Sequence, residues 1–236
     1  MSEKYLVGVD FGTLSGRAIV VRASDGVQVG TSVSHYKHAV MDRTLDAGDG
    51  QKLPPEFALQ NPGDYVDVLT DAIPGAIKDA GIDPADVVGV GIDATSATVF
   101  VTDAEGTPLC EKEEFKNNPH AYVKLWKHHG GQDQADRIIA LAEERGEEWL
   151  ERYGGILSSE MLFPKILETY EKAPEVYAAA DVVVNLLDWI TWKLTGELTF
   201  AASDSGYKRM LTDGEYPSRE FCEALAPGFG PVFEEK

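Results

Sequence analysis

Cysteine is nearly missing from this chain: only Cys110 and Cys222 occur among 236 residues, far apart and with no CxxC pair or partnering histidine spacing. A disulfide framework or zinc ribbon is excluded on that ground, and a reducing compartment is expected. No apolar run approaches the roughly 20 residues that a membrane helix requires, so no membrane partner is expected. The first residues, MSEKYLVGVD, mix acidic and basic side chains and run straight into an apolar stretch. They lack the basic start and long apolar centre of a secretory leader, which gives a cytoplasmic expectation. Basic residues are scarce as well. Lys and Arg total 21 against 40 Asp and Glu, a formal charge of −19. That field repels phosphate backbones and excludes a general nucleic-acid-binding role. The string G-x-x-x-x-G-K-[ST] is absent, so there is no P-loop.

What is present is enough for a core. The length and the 43% hydrophobic content allow one large domain or two small ones. Residues 4–10 and 17–23 read as strands, and Ser24-Asp25-Gly26 turns into a third, VQVGTSVSHY, giving an antiparallel meander. Residues 38–58, polar and punctuated by Gly and Pro, read as a long loop. Asn61-Pro62 opens a helix with Asn61 as N-cap. Val66, Leu69, Ile73, Ile77 and Ala80 recur at helical spacing, Pro74 bends the helix and Gly81 stops it. VVGVGID (87–93) reads as a buried strand and ATVFVTD (97–103) as another, which predicts a mixed sheet covered on both faces. The second half is helical, over 133–146, 147–155, 164–173, 174–180 and 186–196, with Ser218 capping a last helix through Leu225. The fold class is α/β.

Several strings invite a chemical reading and fail it. Asp10-Phe11-Gly12 spells the metal-binding tripeptide of protein kinases, but nine preceding residues cannot hold the Gly-rich loop, strand lysine and catalytic loop which that motif needs. GVGIDA (89–94) fits G-x-G-x-x-A, yet β-branched, strand-like residues follow where a dinucleotide site needs a helix. His120, His128 and His129 have no i, i+4 partner or carboxylate at ligand spacing. Around Trp126, however, Lys124, Lys127 and two histidines make a basic island in an acidic chain. An aromatic beside lysines suits a sugar ring and an anionic group; a solvated helix start is the alternative.

The stretch VGVDFGTLSGRAIVV (7–21) asks for more than a plain hairpin. Gly12 lets backbone approach anionic oxygens, Thr13 and Ser15 offer hydroxyls, and Arg17 offers a charged fork. Asp10 cannot bind phosphate directly. It suits a hydrated Mg²⁺, so the turn reads as a site for a metal–nucleotide.

DFGTLSGR resembles the first phosphate motif of the FGGY carbohydrate kinases, in the actin/hexokinase/heat-shock ATPase superfamily. GIDATSAT (91–98), NPHAYVKLWKHH (118–129), RYGGILSSEMLFPK (152–165) and LLDWITWKLTGELTFAASDSGYK (186–208) are similar to the ribulokinase branch, so the resemblance runs along the whole chain. It implies an actin-like (ribonuclease H-like) N-terminal domain over residues 1–236, a mixed β-sheet flanked by helices. It implies ATP-dependent phosphorylation of a ketopentose, L-ribulose at its terminal hydroxyl, with ATP and Mg²⁺ as cofactors and sugar and ATP as partners; a homodimer is left open. Asp10, Gly12, Thr13, Ser15 and Arg17 would serve the phosphates, with Asp10 reaching Mg²⁺ through water. Ser96, Trp126 and Lys208 match family positions that line the sugar pocket, and Asp93 and Asp204 would bind or orient sugar hydroxyls. The general base and the adenosine pocket belong to a C-terminal lobe expected beyond Lys236. Ala94, Leu186-Leu187 and Asp204-Ser205 depart from the branch pattern. Asp204-Ser205 is closer to the xylulose and glycerol kinase branches, which keeps a xylulose- or ribitol-type kinase in play. A non-catalytic sugar-binding module is the reading from another class.

Overall fold

The computed structural model describes residues 2–236. In chain order its first elements are β1 (Tyr5–Phe11), β2 (Ser15–Arg22), β3 (Gln28–His35), β4 (Leu59–Gln60), α1 (Pro62–Asp67), α2 (Ile73–Ala80) and β5 (Val87–Ala94). Next come β6 (Val99–Thr102), β7 (Val123–Lys124), α3 (Gln132–Arg145), α4 (Trp149–Arg152), α5 (Leu162–Lys172), α6 (Pro174–Ala179) and β8 (Val182–Asn185). The last are α7 (Leu186–Thr195), α8 (Ala202–Tyr207), α9 (Arg219–Leu225) and α10 (Val232–Glu235). They divide into two compact units, Met1–Val40 with Gln60–Thr95, and Met41–Leu59 with Ser96–Lys236.

The first unit holds a mixed four-stranded sheet in the order β3-β2-β1-β5. The meander pairs antiparallel as expected, and β5 joins β1 in parallel. Alternation sends Val7, Val9, Phe11, Ala18 and Val20 to one buried face. Asn61 caps α1, its side chain accepting the Gly63 N–H at 2.8 Å with Pro62 at the first position. Between α1 and α2 the helix widens into a π turn over Val68–Ala72, directly ahead of Pro74. A wide turn at that point accommodates the missing proline N–H. It also resets the buried face. Tyr65, Val68, Ala72 and Ala76 are buried, whereas Val66 is 39% exposed, so the apolar stripe read from the sequence is displaced from the face that packs. Gly81 ends the helix in the left-handed region, φ 64°.

Two glycines set how closely helix and sheet approach. A Cβ on Gly16 would lie 2.3 Å from Val68 Cγ1, and one on Gly30 2.4 Å from the Ala76 carbonyl oxygen. The outcome for β5 differs from expectation. It is an edge strand with Val88 60% and Val90 52% exposed, so among the described residues it is not covered on both faces. Apolar content reports what a strand is able to bury, not whether a cover is at hand.

The second unit holds a separate four-stranded sheet, β4-β7-β6-β8. β6 is buried along its whole length and runs antiparallel to β7 and β8. Neither β8 nor α8 was expected from the sequence. The core is large and aromatic: Trp189 is fully buried, packs edge-on to Phe100 and donates its indole N–H to the Gly106 carbonyl at 2.8 Å. Ser218 caps α9 as expected, accepting the Phe221 N–H. No helix among the described residues is long and apolar enough to cross a membrane.

Candidate functional site

The turn from β1 to β2 is short because Gly12 closes it, its N–H donating to the Ser15 carbonyl at 3.0 Å. That amide is therefore engaged within the turn, and Gly12 shapes the turn instead of donating outward. A Cβ on Gly12 would sit 3.1 Å from the Ser15 carbonyl oxygen. The turn is braced from beneath by residues that sequence reasoning missed. Gln60, fully buried, donates its side-chain N–H to the Thr13 carbonyl at 2.8 Å, and its carbonyl accepts the Tyr65 hydroxyl at 2.6 Å. Tyr65 in turn packs edge-on to Phe11 and Tyr36. A glutamine ahead of the Asn-Pro helix start carries no sequence signal of that role.

Strand register places the charged groups. Asp10 lies opposite Arg17 on β2 and beside Asp93 on β5. All three are exposed and line one cleft of about 510 Å³, where no ion pair joins them. Asp93 thus stands with the expected phosphate residues, in a different unit from Ser96, Trp126, Lys208 and Asp204. Asp93 does accept the Ala94 N–H at 3.0 Å. Two carboxylates at neighbouring strand positions, neither of them in an ion pair with Arg17, suit a hard divalent ion. No third His, Cys, Asp or Glu joins them among the described residues, so the rest of such an ion's shell would be water or phosphate oxygen, the habit of Mg²⁺. The Tyr36 hydroxyl is buried without a partner. Burial, together with the charges of Asp10 and Asp64, pushes its ionisation far above the usual tyrosine range, so it remains a neutral donor near Asp10.

In the second unit Ser96 donates its hydroxyl to Asp204 Oδ1 at 2.9 Å, which brings two of the expected sugar residues together. Asp204 is 8% exposed, while Trp126 is 39% exposed. Lys208 follows α8, with its amide on the Asp204 carbonyl at 2.8 Å. α8 is held from below by Asp188, which accepts the Ala201 N–H at 2.8 Å. Burial, with the Asp204 charge adding to it, pushes the Asp188 carboxyl up against the pull of that amide. Arg209 donates to the Val183 carbonyl and stacks on Phe200, its guanidinium 4.2 Å from the ring centre.

The basic island around Trp126 is not what its letters suggested. Lys124 lies in β7, not at a helix start, and is buried: its ammonium donates to Glu168 at 2.6 Å, Thr169 at 2.7 Å and the Lys165 carbonyl at 3.0 Å. His128, also buried, meets the same Glu168 oxygen at 3.0 Å. Burial pushes the His128 imidazolium down to about 4 against the pull of Glu168, and burial with Lys124 pushes His120 down to about 3. Burial by itself would raise Glu168; Lys124 and His128 overcome it and hold the carboxylate below its usual range. Of the island, Trp126 is exposed, and Lys127 and His129 are half-buried.

A family model for the FGGY family of carbohydrate kinases, N-terminal domain, matches residues 5–227. The ribulokinase of Mycolicibacterium smegmatis is 53% identical over 235 residues, covering 100% of this chain and 42% of that protein. The ribulokinase of Geobacillus thermodenitrificans is 44% identical over 238 residues, again 100% of this chain and 42% of that protein. The chain thus spans about two fifths of the length of the curated relatives it matches. Among solved structures, gluconate kinase from Lactobacillus acidophilus superposes with a TM-score of 0.70 at 16% identity, over 95% of this chain and 40% of that one. Xylulose kinase from Rhodospirillum rubrum gives 0.68 at 19% identity, over 95% and 41%. These likenesses show the fold, and the expected actin-like α/β architecture is borne out.

Proposed function

The chain belongs to the FGGY family of carbohydrate kinases, and from that premise we propose that it is the N-terminal part of an ATP-dependent ketopentose kinase acting on L-ribulose. The observation that carries this reading is the cleft lined by Asp10, Asp93 and Arg17 with no ion pair among them, on the strands that the turn bearing Thr13 and Ser15 connects or adjoins. Phosphoryl transfer depends chiefly on positioning and on neutralising charge. Mg²⁺–ATP supplies the phosphoryl group and most of that neutralisation. Asp10 and Asp93 would hold water of the metal's shell, Thr13 and Ser15 would donate hydroxyls to phosphate oxygens, and Arg17 would add a fixed positive charge. Ser96 and Asp204 would orient sugar hydroxyls, Lys208 would donate to them, and Trp126 would cover the carbon face. The general base belongs, in this reading, to sequence outside the chain, and the reaction to the cytoplasm, serving arabinose breakdown.

ADP release by the whole kinase, followed with L-ribulose, D-xylulose and ribitol, tests the reading. L-ribulose as the preferred acceptor is expected, and a clear preference for D-xylulose would overturn the substrate assignment. A xylulose-type kinase is the second reading. It is favoured by one observation: the Asp204 carboxylate that departs from the ribulokinase pattern is the group bonded to Ser96. Absence of any sugar-dependent ADP release leaves the non-catalytic module.

A further inference from the structure

Lys165 is 1% exposed, yet its ammonium meets no carboxylate. It donates to three backbone carbonyls: Ala97 at 2.6 Å, Leu125 at 2.8 Å and Lys124 at 3.3 Å. Packing alone does not call for an amine here, since an apolar side chain of that length would avoid the cost of burying one. What the amine adds is a single point at which two separate segments converge. One is residues 96–98, and it includes Ala97, a non-glycine residue at φ 56°. Such a conformation persists only where the surroundings enforce it. The other is the stretch from β7 to Trp126.

A second lysine makes the arrangement reciprocal. Lys124 sends its ammonium back to the Lys165 carbonyl, as well as to Glu168 and Thr169 on α5. Each lysine therefore caps the other's carbonyl. Lys124 has a counter-ion in Glu168, whereas Lys165 has only carbonyl oxygens.

We propose that Lys165 is the positioning residue of the sugar side, gathering the Ala97, Lys124 and Leu125 carbonyls and so fixing the two segments that present Ser96 and Trp126. This rests on the reading above that Ser96 and Trp126 face a ketopentose. Lys165 touches no sugar in this scheme; it acts through the backbone on either side of residues that do.

The test compares the whole kinase with its Lys165→Met and Lys165→Met/Ala97→Gly variants, measuring KM for L-ribulose, KM for ATP and thermal midpoint. Losing the charged donor is expected to raise the sugar KM roughly tenfold while the ATP KM moves by less than about twofold. Glycine at position 97 takes up positive φ without strain, so the double variant is expected to recover roughly several-fold of that loss. A merely structural lysine would move both KM values with the thermal midpoint and would gain nothing from glycine at 97. An unchanged sugar KM, or both KM values rising together, overturns the inference. If Lys165→Met does not fold, Lys165→Gln replaces it. Failure of both to fold also overturns it, since Lys165 would then serve the core as a whole. A wild-type kinase inactive on every sugar defeats the functional reading, and this inference with it. An active wild type with an unaffected variant defeats only the role of Lys165.

Discussion

In the first unit the ionisable groups of interest, Asp10, Arg17 and Asp93, stand exposed along one cleft with no ion pair among them. In the second, Lys124, His128, Lys165 and Glu168 are enclosed in the core and bonded to one another or to backbone. The residue types overlap, but solvation makes them opposites. An exposed carboxylate without a partner costs the fold little and is available to a ligand. A buried one is committed to its neighbours, and removing it strands their charge. These three groups of the first unit are thus available for chemistry, and these four of the second are bound into architecture.

The sharpest way to break this contrast is Glu168→Ala, which leaves Lys124 buried without its counter-ion. A loss of about 3–5 kcal/mol in denaturant unfolding is expected, and a change under about 1 kcal/mol would show the buried charges to be uncoupled. Next is Asp10→Asn in the whole kinase. There kcat is expected to fall about a hundredfold, roughly 2.7 kcal/mol, with stability unmoved within about 0.5 kcal/mol. A parallel loss of stability would make Asp10 structural and erase the distinction between the units. Within the first unit, Gly16→Ala is expected to cost about 1–3 kcal/mol by overpacking on Val68. Gly91→Ala is its control: a Cβ there meets nothing within 4 Å, and a change within about 0.5 kcal/mol is expected.

The smallest effect is a slope with pH. His128 is held neutral, its folded value of about 4 lying below the ordinary 6.5. The unfolded chain therefore binds the proton first as pH falls. Stability is full above about pH 6.5 and declines toward pH 4, by about 1.4 kcal/mol per unit for each such histidine. Fluorescence-monitored unfolding between these limits, repeated with His128→Gln, is expected to show a shallower slope in the variant. An unchanged slope would assign the acid response elsewhere.

Much of the first unit was legible in the sequence because its signals are local. Strand alternation, the Asn61 cap, Pro62 and the Gly81 stop each act within a few residues, and so does the β1–β2 hairpin carrying Asp10 and Arg17. The displaced helix face shows the limit: a π turn adds one residue to a single turn, and no count at a fixed 3.6 period registers it. The second unit resisted for another reason. PKILETYEKA reads as a helix and nothing more, yet Lys165 and Glu168 are three residues apart on its buried side. Hydropathy carries no information about partners distant in sequence, and Lys165's partners come from residues 97, 124 and 125. An apolar flank holding both a lysine and a glutamate at that spacing was the available clue.

The unpaired outer margin of β5 has a practical consequence. Its backbone offers a ready template for another strand, and Val88 and Val90 make that margin sticky. Copies of the chain meeting along it would continue one sheet into the next, opposed at low salt by mutual repulsion of molecules carrying a formal −19. Self-association on adding salt is the behaviour to anticipate, and a single lysine in place of Val90 is the remedy.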